Sequence, residues 1–273
     1  LNEVRARVRT GVTAPDEIVD VRGALDRMRL VKDAHELALM RRAGAISSEA
    51  HRRAMARARP GWHEYEVEAE LAHEFLRQGA QAVAYPSIVA SGPNACVLHY
   101  RDNDRRMADG DLILIDAGCE FRGYASDITR TFPVNGRFTG PQKDVYEVVL
   151  AAQLACIEAV RPGVPFHDYH RVAERVLAQG LVDLKLIDGP LDAALESGSY
   201  KRFYMHRAGH WLGMDVHDAG HYQEKGESVK LEPGMVLTVE PGLYLRAGDG
   251  VPAHFADIGV RIEDDVVVTA DGV

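Results

Sequence analysis

The chain has 273 residues, 46% of them hydrophobic, which is enough apolar material for one large core or two small domains. Its formal net charge is −9 at pH 7, and no basic stripe with interleaved aromatics occurs, which argues against nucleic acid as a partner. The longest apolar stretch, 145–160, is interrupted by polar residues and falls short of the roughly 20 residues of a membrane span, which argues against a membrane protein.

The first 32 residues are charged, rich in arginine and only weakly periodic. Because the chain starts with Leu1 rather than Met, we interpret 1–32 as the remnant of a missing N-terminal domain and 33–273 as a second domain. The three cysteines lack metal-ligand spacing and predict reduced thiols, and no signal peptide is visible. These features together favour a cytoplasmic location.

Two helices are predicted next in the chain. Asp33 and Glu36 form a capping-box pattern, and apolar residues follow at helical spacing until Pro60-Gly61 stops them. A second helix fits 64–78, with Gly79 as its C-terminal stop. Two strands joined by a short turn follow these helices.

The second half repeats this order. A helix from about Gln142 stops at Pro162-Gly163, another runs from about 168 to 179, and two strands follow again. The junctions are alike as well, with RPGWHEY at 59–65 and RPGVPFHDY at 161–169. We therefore predict an α+β fold made of a duplicated helix-helix-strand-pair unit with pseudo-twofold symmetry, whose two sheets close one core. The alternative is that Pro-Gly recurs by chance, because it is a common helix stop.

Carboxylates end apolar strands in both halves. In the first strand pair, the apolar run after Gly110 ends at Asp116, and a hairpin turning between residues 121 and 122 would place Asp116 directly opposite Asp127. Two opposed carboxylates repel each other unless a positive charge lies between them. A metal ion is the economical explanation.

The second half offers a similar pair of acids. Glu240 follows a glycine at the same distance as Asp116 does, and Glu263 shares a strand face with Arg261 two residues before it. Taken singly, each acid has a structural interpretation: Asp116 could cap a turn, Asp127 could head a turn, and Glu263 could belong to a solvated acidic run. Taken jointly, these interpretations leave four acids on apolar strands with their repulsion unanswered.

Histidines supply the other ligand class for such a site. The candidates are His99, His206, His210 and His217. His206 and His210 have the spacing of a metal-binding helix, but the glycine between them and the missing glutamate exclude the zincin motif. One imidazole with four carboxylates suits manganese, cobalt or a hydrolytic zinc pair, and four carboxylate charges balance two divalent ions, as in two-metal hydrolases. Single histidines on helices are interpreted instead as packed core residues: His35, His51 and His73.

Five ordered blocks of the sequence resemble the catalytic domain of aminopeptidase P, the Xaa-Pro aminopeptidase of the pita-bread metallopeptidases. They are HYRDN, GDLILIDAGCEFRGYASDITRTFPVNGRF, FYMHRAGHWLGMDVHD, LEPGMVLTVEPGLY and GVRIEDD. The resemblance covers roughly residues 30–270. It implies the pita-bread fold and a hydrolase that removes the N-terminal residue from peptides with proline in second position. It also implies two divalent ions, usually Mn²⁺, with Co²⁺ or Zn²⁺ as alternatives.

The resemblance further assigns roles to individual residues. The family's metal ligands are, in chain order, Asp, Asp, His, Glu and Glu, and here they fall on Asp116, Asp127, His210, Glu240 and Glu263. Asp127 and Glu263 would be the pair shared by both ions, and Glu240 would take the proton of the attacking water.

The remaining matches lie around these ligands. His99, His206 and His217 match the family's active-site histidines, which hold the substrate carbonyl and the developing charge. Arg261 and Tyr244 match residues that support them.

Two departures and three rival functions follow from the same resemblance. Arg207 stands where the family usually has Gly, so we expect a different approach beside His206. Aminopeptidase P also carries an N-terminal domain that helps to form its oligomer, so a homo-oligomer is expected if that domain is present. Prolidase and methionine aminopeptidase share the fold and are the alternative enzymes. The third alternative is a metal-free module that binds peptides without cleaving them, although such members lose ligands.

Overall fold

The structure, a computed structural model, describes residues 2–7, 10–11, 13, 17–248 and 250–273. The helices are α1 (Asn2–Arg5), α2 (Arg22–Leu30), α3 (Ala34–Arg57), α4 (Glu64–Arg77), α5 (Gly140–Ala159), α6 (Phe166–Asp183) and α7 (Leu191–Ser197). The strands are β1 (Ala82–Val83), β2 (Ile88–Ser91), β3 (Leu112–Asp116), β4 (Cys119–Phe121), β5 (Tyr124–Ala125), β6 (Thr129–Pro133), β7 (Gln223–Glu224), β8 (Glu227–Ser228), β9 (Val236–Val239), β10 (Gly242–Leu245), β11 (Ile258–Arg261) and β12 (Asp264–Val267). Among the described helices, none combines the length and apolar character that crossing a membrane requires.

All four predicted helices are confirmed. At the start of α3, the Asp33 carboxylate accepts hydrogen bonds from the backbone N–H groups of His35 and Glu36, and Glu36 reaches back to the Asp33 N–H at 2.7 Å. This completes the capping box and fixes where the helix begins. The interpretation of helical histidines as core residues holds for His51, which is buried, but is wrong for His35 and His73, which are exposed.

The helix α5 begins slightly earlier than predicted and ends before Pro162-Gly163, whereas α6 extends beyond its predicted range at both ends. Thr139 caps α5, whose inner face buries Val145, Val149, Ala152 and Cys156. Neither α2 nor α7 is among the predicted helices. All three cysteines are buried, and none of them forms a disulfide bond with another described residue.

The strands form small antiparallel sheets. In the first half, β3 is the centre of a three-stranded sheet with β2 and β6 at its sides. In the second half the described strands form three separate pairs, β7 with β8, β9 with β12 and β10 with β11.

The predicted register of the first hairpin is wrong by one residue at its turn. The turn residues are Arg122 and Gly123, both with positive φ, which is the backbone form that a two-residue hairpin turn needs. Asp116 consequently pairs with Thr129, and Asp127 lies in the short segment between β5 and β6.

The apolar interior is divided between the halves. One cluster lies between α5, α6 and the second-half strands, and another lies between α3, α4 and the first-half strands. A smaller cluster, which includes Ile88, Leu114 and Tyr244, joins the sheets of the two halves. The single core that we expected is therefore two cores with a contact zone, and this zone places strand ends of both halves side by side.

Candidate metal centre and active site

One cavity of about 870 Å³ collects polar residues from both halves. Nine of the ten residues that the sequence singles out line it: His99, Asp116, Asp127, His206, His210, His217, Glu240, Arg261 and Glu263. The tenth, Tyr244, lies behind the wall and contacts two of them. The predicted site residues thus converge in space, whereas their individual roles remain predictions.

The two aspartates of the first half meet at a tyrosine. The Tyr85 hydroxyl lies 2.7 Å from Oδ1 of Asp116 and 2.5 Å from Oδ1 of Asp127. A hydroxyl has one proton and can donate it to only one of these oxygens at a time. The aspartates therefore come together as the metal hypothesis requires, although they do not pair across the hairpin in the predicted register.

The two glutamates of the second half enter the cavity from different strand breaks. Glu240 follows β9 directly, and Glu263 occupies the link between β11 and β12. The Thr129 hydroxyl donates to Glu263 Oε2 at 2.5 Å, which ties this carboxylate to the first-half sheet. Ligand atoms of Asp127, His210 and Glu263 all lie within 4.8 Å of one another. The halves therefore share one compact set of donors.

His210 is held in an orientation that suits a metal ligand. Its Nδ1 lies 3.0 Å from the carbonyl oxygen of Trp211, and that carbonyl can only accept, so Nδ1 carries the proton. Nε2 faces the carboxylates, at 3.5 Å from Asp127 Oδ2 and 3.6 Å from Glu240 Oε1, so this is the nitrogen that would lose its proton to bind a metal ion. A second partner that fixes the tautomer in this way is typical of metal-binding histidines.

The pKa values in the cavity show that negative charge is crowded there. Burial raises the pKa of Glu240 to about 7 against the opposing effect of His210 and Arg261. Burial raises the pKa of Asp116 and Glu263 too, with the neighbouring carboxylates adding to the effect. Burial alone would lower the pKa of His210, but Asp127 and Glu240 raise it to about 9. Divalent cations would relieve this repulsion, so the donor set fits them.

Arg261 balances part of that charge. Its Nη2 donates to Asp116 Oδ2 at 2.5 Å, and its Nε donates to the Thr129 hydroxyl at 3.2 Å. The guanidinium is fully enclosed, and a buried cation of this kind needs such partners. Arg261 therefore fixes Asp116 and, through Thr129, also supports Glu263.

A hydrogen-bond chain runs from Arg261 to His206. Arg261 Nη1 donates to the Tyr244 hydroxyl at 3.0 Å, so that hydroxyl donates its own proton to Nε2 of His206 at 2.8 Å. The other ring nitrogen, Nδ1, then donates to the carbonyl of Arg207 at 2.8 Å. Burial and the nearby Arg261 lower the pKa of His206 to about 3, so this imidazole is neutral.

The other two histidines occupy the cavity wall. The His217 ring meets the His210 ring edge-on with 4.3 Å between centroids. Burial and His210 lower the pKa of His217, which favours its neutral form. His99 is exposed and lies on the opposite loop, between β2 and β3.

The segment with His206 and His210 approaches a strand closely. A side chain at Gly209 would place its Cβ 2.0 Å from the carbonyl oxygen of Thr238. Only glycine fits there, and the close approach brings His210 against β9. The N–H of Ala208 donates to Nδ1 of His170 at 3.2 Å, which holds the same segment from α6.

Several supporting residues escape the sequence analysis. Tyr85 and Thr129 touch the site acids, and the Asp265 carboxylate accepts from the N–H of Asp127 at 3.0 Å. Thr129 belongs to a quoted block and could have been proposed from its strand. Tyr85 lies in no motif, and no spacing connects it to its partners.

Comparison with known proteins gives consistent matches. Residues 38–270 match metallopeptidase family M24. The Xaa-Pro aminopeptidase of Escherichia coli strain K12 is 47% identical over 272 residues, which is 100% of this chain and 62% of that protein. The structure of Pseudomonas aeruginosa aminopeptidase PepP superposes with a TM-score of 0.97 at 53% identity, over 99% of this chain and 62% of that one. Zinc-substituted Escherichia coli aminopeptidase P in complex with product has a TM-score of 0.95 at 48% identity, over 100% of this chain and 62% of that one. The chain thus spans less than two thirds of the length of these relatives.

Proposed function

The chain belongs to metallopeptidase family M24 and has the pita-bread fold of aminopeptidase P structures, and from this premise we propose that it is a Xaa-Pro aminopeptidase. Such an enzyme hydrolyses the bond between an N-terminal residue and a following proline. The observation that supports the proposal most directly is the convergence of four carboxylates and one imidazole, drawn from both halves, on a single cavity. The similarity to named Xaa-Pro aminopeptidases favours this substrate class.

The metal ions would be held by the five predicted ligands. These are Asp116, Asp127, His210, Glu240 and Glu263. Two divalent ions match the four carboxylate charges, and Mn²⁺ is the proposed identity because oxygen-rich sites favour it. When bound, they would lower the pKa of water and polarise the scissile carbonyl.

Glu240 is the proposed proton carrier. Its carboxylate faces the cavity beside His210 and is not fixed by an ion pair to a lysine or arginine among the described residues. It takes a proton from the attacking water and passes it to the proline nitrogen, which leaves as an amine.

Three histidines are proposed to contact the substrate. His99 and His217 face the cavity from different loops and steady the negative charge that develops on the carbonyl oxygen. His206 presents a neutral ring, whose orientation is fixed by Tyr244 and by the Arg207 carbonyl, to the part of the cavity that receives proline. Arg207 lines the same wall.

The proposal extends to substrates, location and assembly. The substrates are peptides with proline in second position, the proposed compartment is the cytoplasm, and a homo-oligomer is proposed if an N-terminal domain is present. The assignment of 1–32 as the end of that domain also remains a prediction.

Side-by-side assays distinguish the related enzymes. The protein, loaded with Mn²⁺, is given an Xaa-Pro-Xaa tripeptide, an Xaa-Pro dipeptide and Met-Ala-Ser. We expect the tripeptide to be cleaved with the highest kcat/KM. A preference for the dipeptide would indicate a prolidase, and a preference for Met-Ala-Ser would indicate a methionine aminopeptidase.

Metal analysis tests the remaining alternative. Protein purified without chelator should contain close to two divalent ions per chain. Absence of bound ions, together with no cleavage of any peptide after Mn²⁺ addition, would instead favour a peptide-binding module.

A further inference from the structure

Glu64 is a buried carboxylate outside the cavity that binds both ends of the His99 loop, residues 91–105. It is the first residue of α4, is 0% exposed and does not line the cavity. Its Oε1 accepts from the N–H of Ser91 at 2.6 Å, from the Ser91 hydroxyl at 2.7 Å and from Nδ2 of Asn94 at 3.2 Å. Its Oε2 accepts from the Tyr100 hydroxyl at 2.7 Å and from the N–H of Arg105 at 3.0 Å.

The two carboxylate oxygens of Glu64 therefore bind different ends of the loop. Oε1 holds its beginning and Oε2 holds its end, with His99 in the part between. Five donors on one carboxylate compensate for its burial, and removing the carboxylate would leave several of those donors unpaired. The loop conformation and the Glu64 charge are thus interdependent.

His99 itself has no other anchor of this kind. Its side chain is exposed and makes no hydrogen bond to the residues that the structure describes. Its place in the cavity is consequently set by its backbone, and the next residue, Tyr100, is the one bound by Glu64. The other fixed point is the Cys96 carbonyl, which accepts from Arg246 at 2.8 Å, three residues before His99.

From this geometry we propose that Glu64 is the positioning residue for His99. Its carboxylate holds the loop so that the His99 ring faces the substrate carbonyl. The catalytic consequence rests on the proposed function, whereas the structural link between Glu64 and His99 does not.

The test compares two isosteric variants. Glu64→Gln keeps one acceptor but turns an amide NH₂ toward the N–H of Arg105 or of Ser91, and two donors cannot pair. Glu74→Gln is the matched control, because Glu74 is equally buried on the same helix but bonds Arg77 and Gln78 at its other end. Both are made in the wild-type and the His99→Ala backgrounds.

We expect the loss of kcat in Glu64→Gln to depend on the presence of His99. Glu64→Gln should lower kcat about tenfold when His99 is present and less than about twofold in the His99→Ala background, since misplacement has no effect on a missing group. Glu74→Gln should have the same small effect in both backgrounds. Equal losses from Glu64→Gln in both backgrounds would mean a general structural role and would overturn the proposal.

A second readout does not require peptidase activity. The ring resonance of His99, assigned by its loss in His99→Ala, should shift in the Glu64→Gln protein and stay in place in Glu74→Gln. An unshifted resonance in a folded Glu64→Gln protein would overturn the proposal even if no peptide is cleaved. If Glu64→Gln does not fold, Tyr100→Phe removes one donor next to His99 and should shift the same resonance, and no shift there would have the same consequence.

Discussion

The two longest helices of the described chain, α3 and α5, have a buried polar residue at the same place in the repeat. His51 of α3 and Gln153 of α5 both lie nine residues before the proline that ends their helix. Nε2 of His51 lies 3.0 Å from the carbonyl of Ala117, and Nε2 of Gln153 donates to Asp264 Oδ2 at 2.6 Å. Both partners directly follow a proposed metal ligand. The repeat therefore conserves an anchor from the long helix to the site as well as the order of elements.

The chemistry of the halves is nevertheless unequal. The first half supplies two aspartates held by Tyr85, whereas the second supplies the imidazole, two glutamates and the arginine that balances them. The anchors differ too, since the imidazole of His51 can take up a proton and the amide of Gln153 cannot. The duplicated architecture thus supplies equivalent positions without requiring equivalent side chains.

The largest effect should come from removing one site acid from each half. Asp116→Ala and Glu240→Ala should each lower kcat/KM more than about a thousandfold, because a ligand, and for Glu240 also the proton carrier, is lost. Bound metal per chain, measured together with peptide hydrolysis, should fall in both variants.

The control for this experiment is Glu196→Ala, an exposed acid on α7 that should leave both measurements unchanged. Near-normal turnover in either Asp116→Ala or Glu240→Ala would show that the acids of the two halves do not act together in one site.

The next largest effect is a loss of stability at the contact between the two halves. Lys32, just before α3, is buried and its Nζ donates to Asp218 in the second half at 3.0 Å. Lys32→Ala should lower the free energy of unfolding by about 3 kcal/mol, measured by denaturant titration, because it leaves the buried Asp218 with Arg29 as its remaining ion-pair partner.

Arg22→Ala is the comparison for Lys32→Ala, because Arg22 also lies in the segment before α3 and also forms an ion pair. Its exposed pair with Asp20 should contribute little to the free energy of unfolding, because solvent screens both charges. Equal effects of the two changes would show that the buried pair does not hold the halves together.

A smaller loss is expected at the cavity wall. His217→Ala should lower kcat about a hundredfold with little change in KM, if the ring stabilises charge only in the transition state. Steady-state kinetics on the tripeptide provides the measurement. A rise in KM with unchanged kcat would assign His217 to substrate binding instead.

The smallest effect is expected from His51→Gln, which gives α3 the same anchor residue type as Gln153 of α5. Burial lowers the pKa of His51 from 6.5 to about 4, so between these values the unfolded chain binds a proton that the folded chain does not. Stability is therefore lost as the pH falls through this window. Relative to His51→Gln, the wild-type protein should lose about 2 kcal/mol more of its free energy of unfolding between about pH 7.5 and pH 5. Parallel pH curves for the two proteins would show that His51 is not the titrating group.

Much of the architecture could be predicted because its signals are local. Capping residues and Pro-Gly stops mark the four main helices, and the quoted motifs contain 14 of the 20 residues that line the cavity. The hairpin register failed because Arg122 occupies a positive φ that its residue type does not suggest. The helix α2 was missed because its end is held by contacts of Arg29 and Lys32 with Asp218, far away in the sequence.

Long-range polar contacts could not be predicted from the sequence either. Tyr85 and Glu64 are separated by tens of residues from the groups that they bind, and each has an ordinary local sequence. Patterns of spacing identify what lies on one strand or helix face. They do not identify which side chain of another element completes a buried network.

The carbonyl that fixes His210 belongs to Trp211, whose indole is stacked on Tyr222 at 5.7 Å and fully buried. The only other tryptophan, Trp62, lies in the first half under Arg59. In a Trp62→Phe protein, all indole fluorescence would therefore come from a fluorophore one residue from the imidazole ligand. Emission from this single reporter would follow the loading of the centre in real time, with no added dye and no substrate.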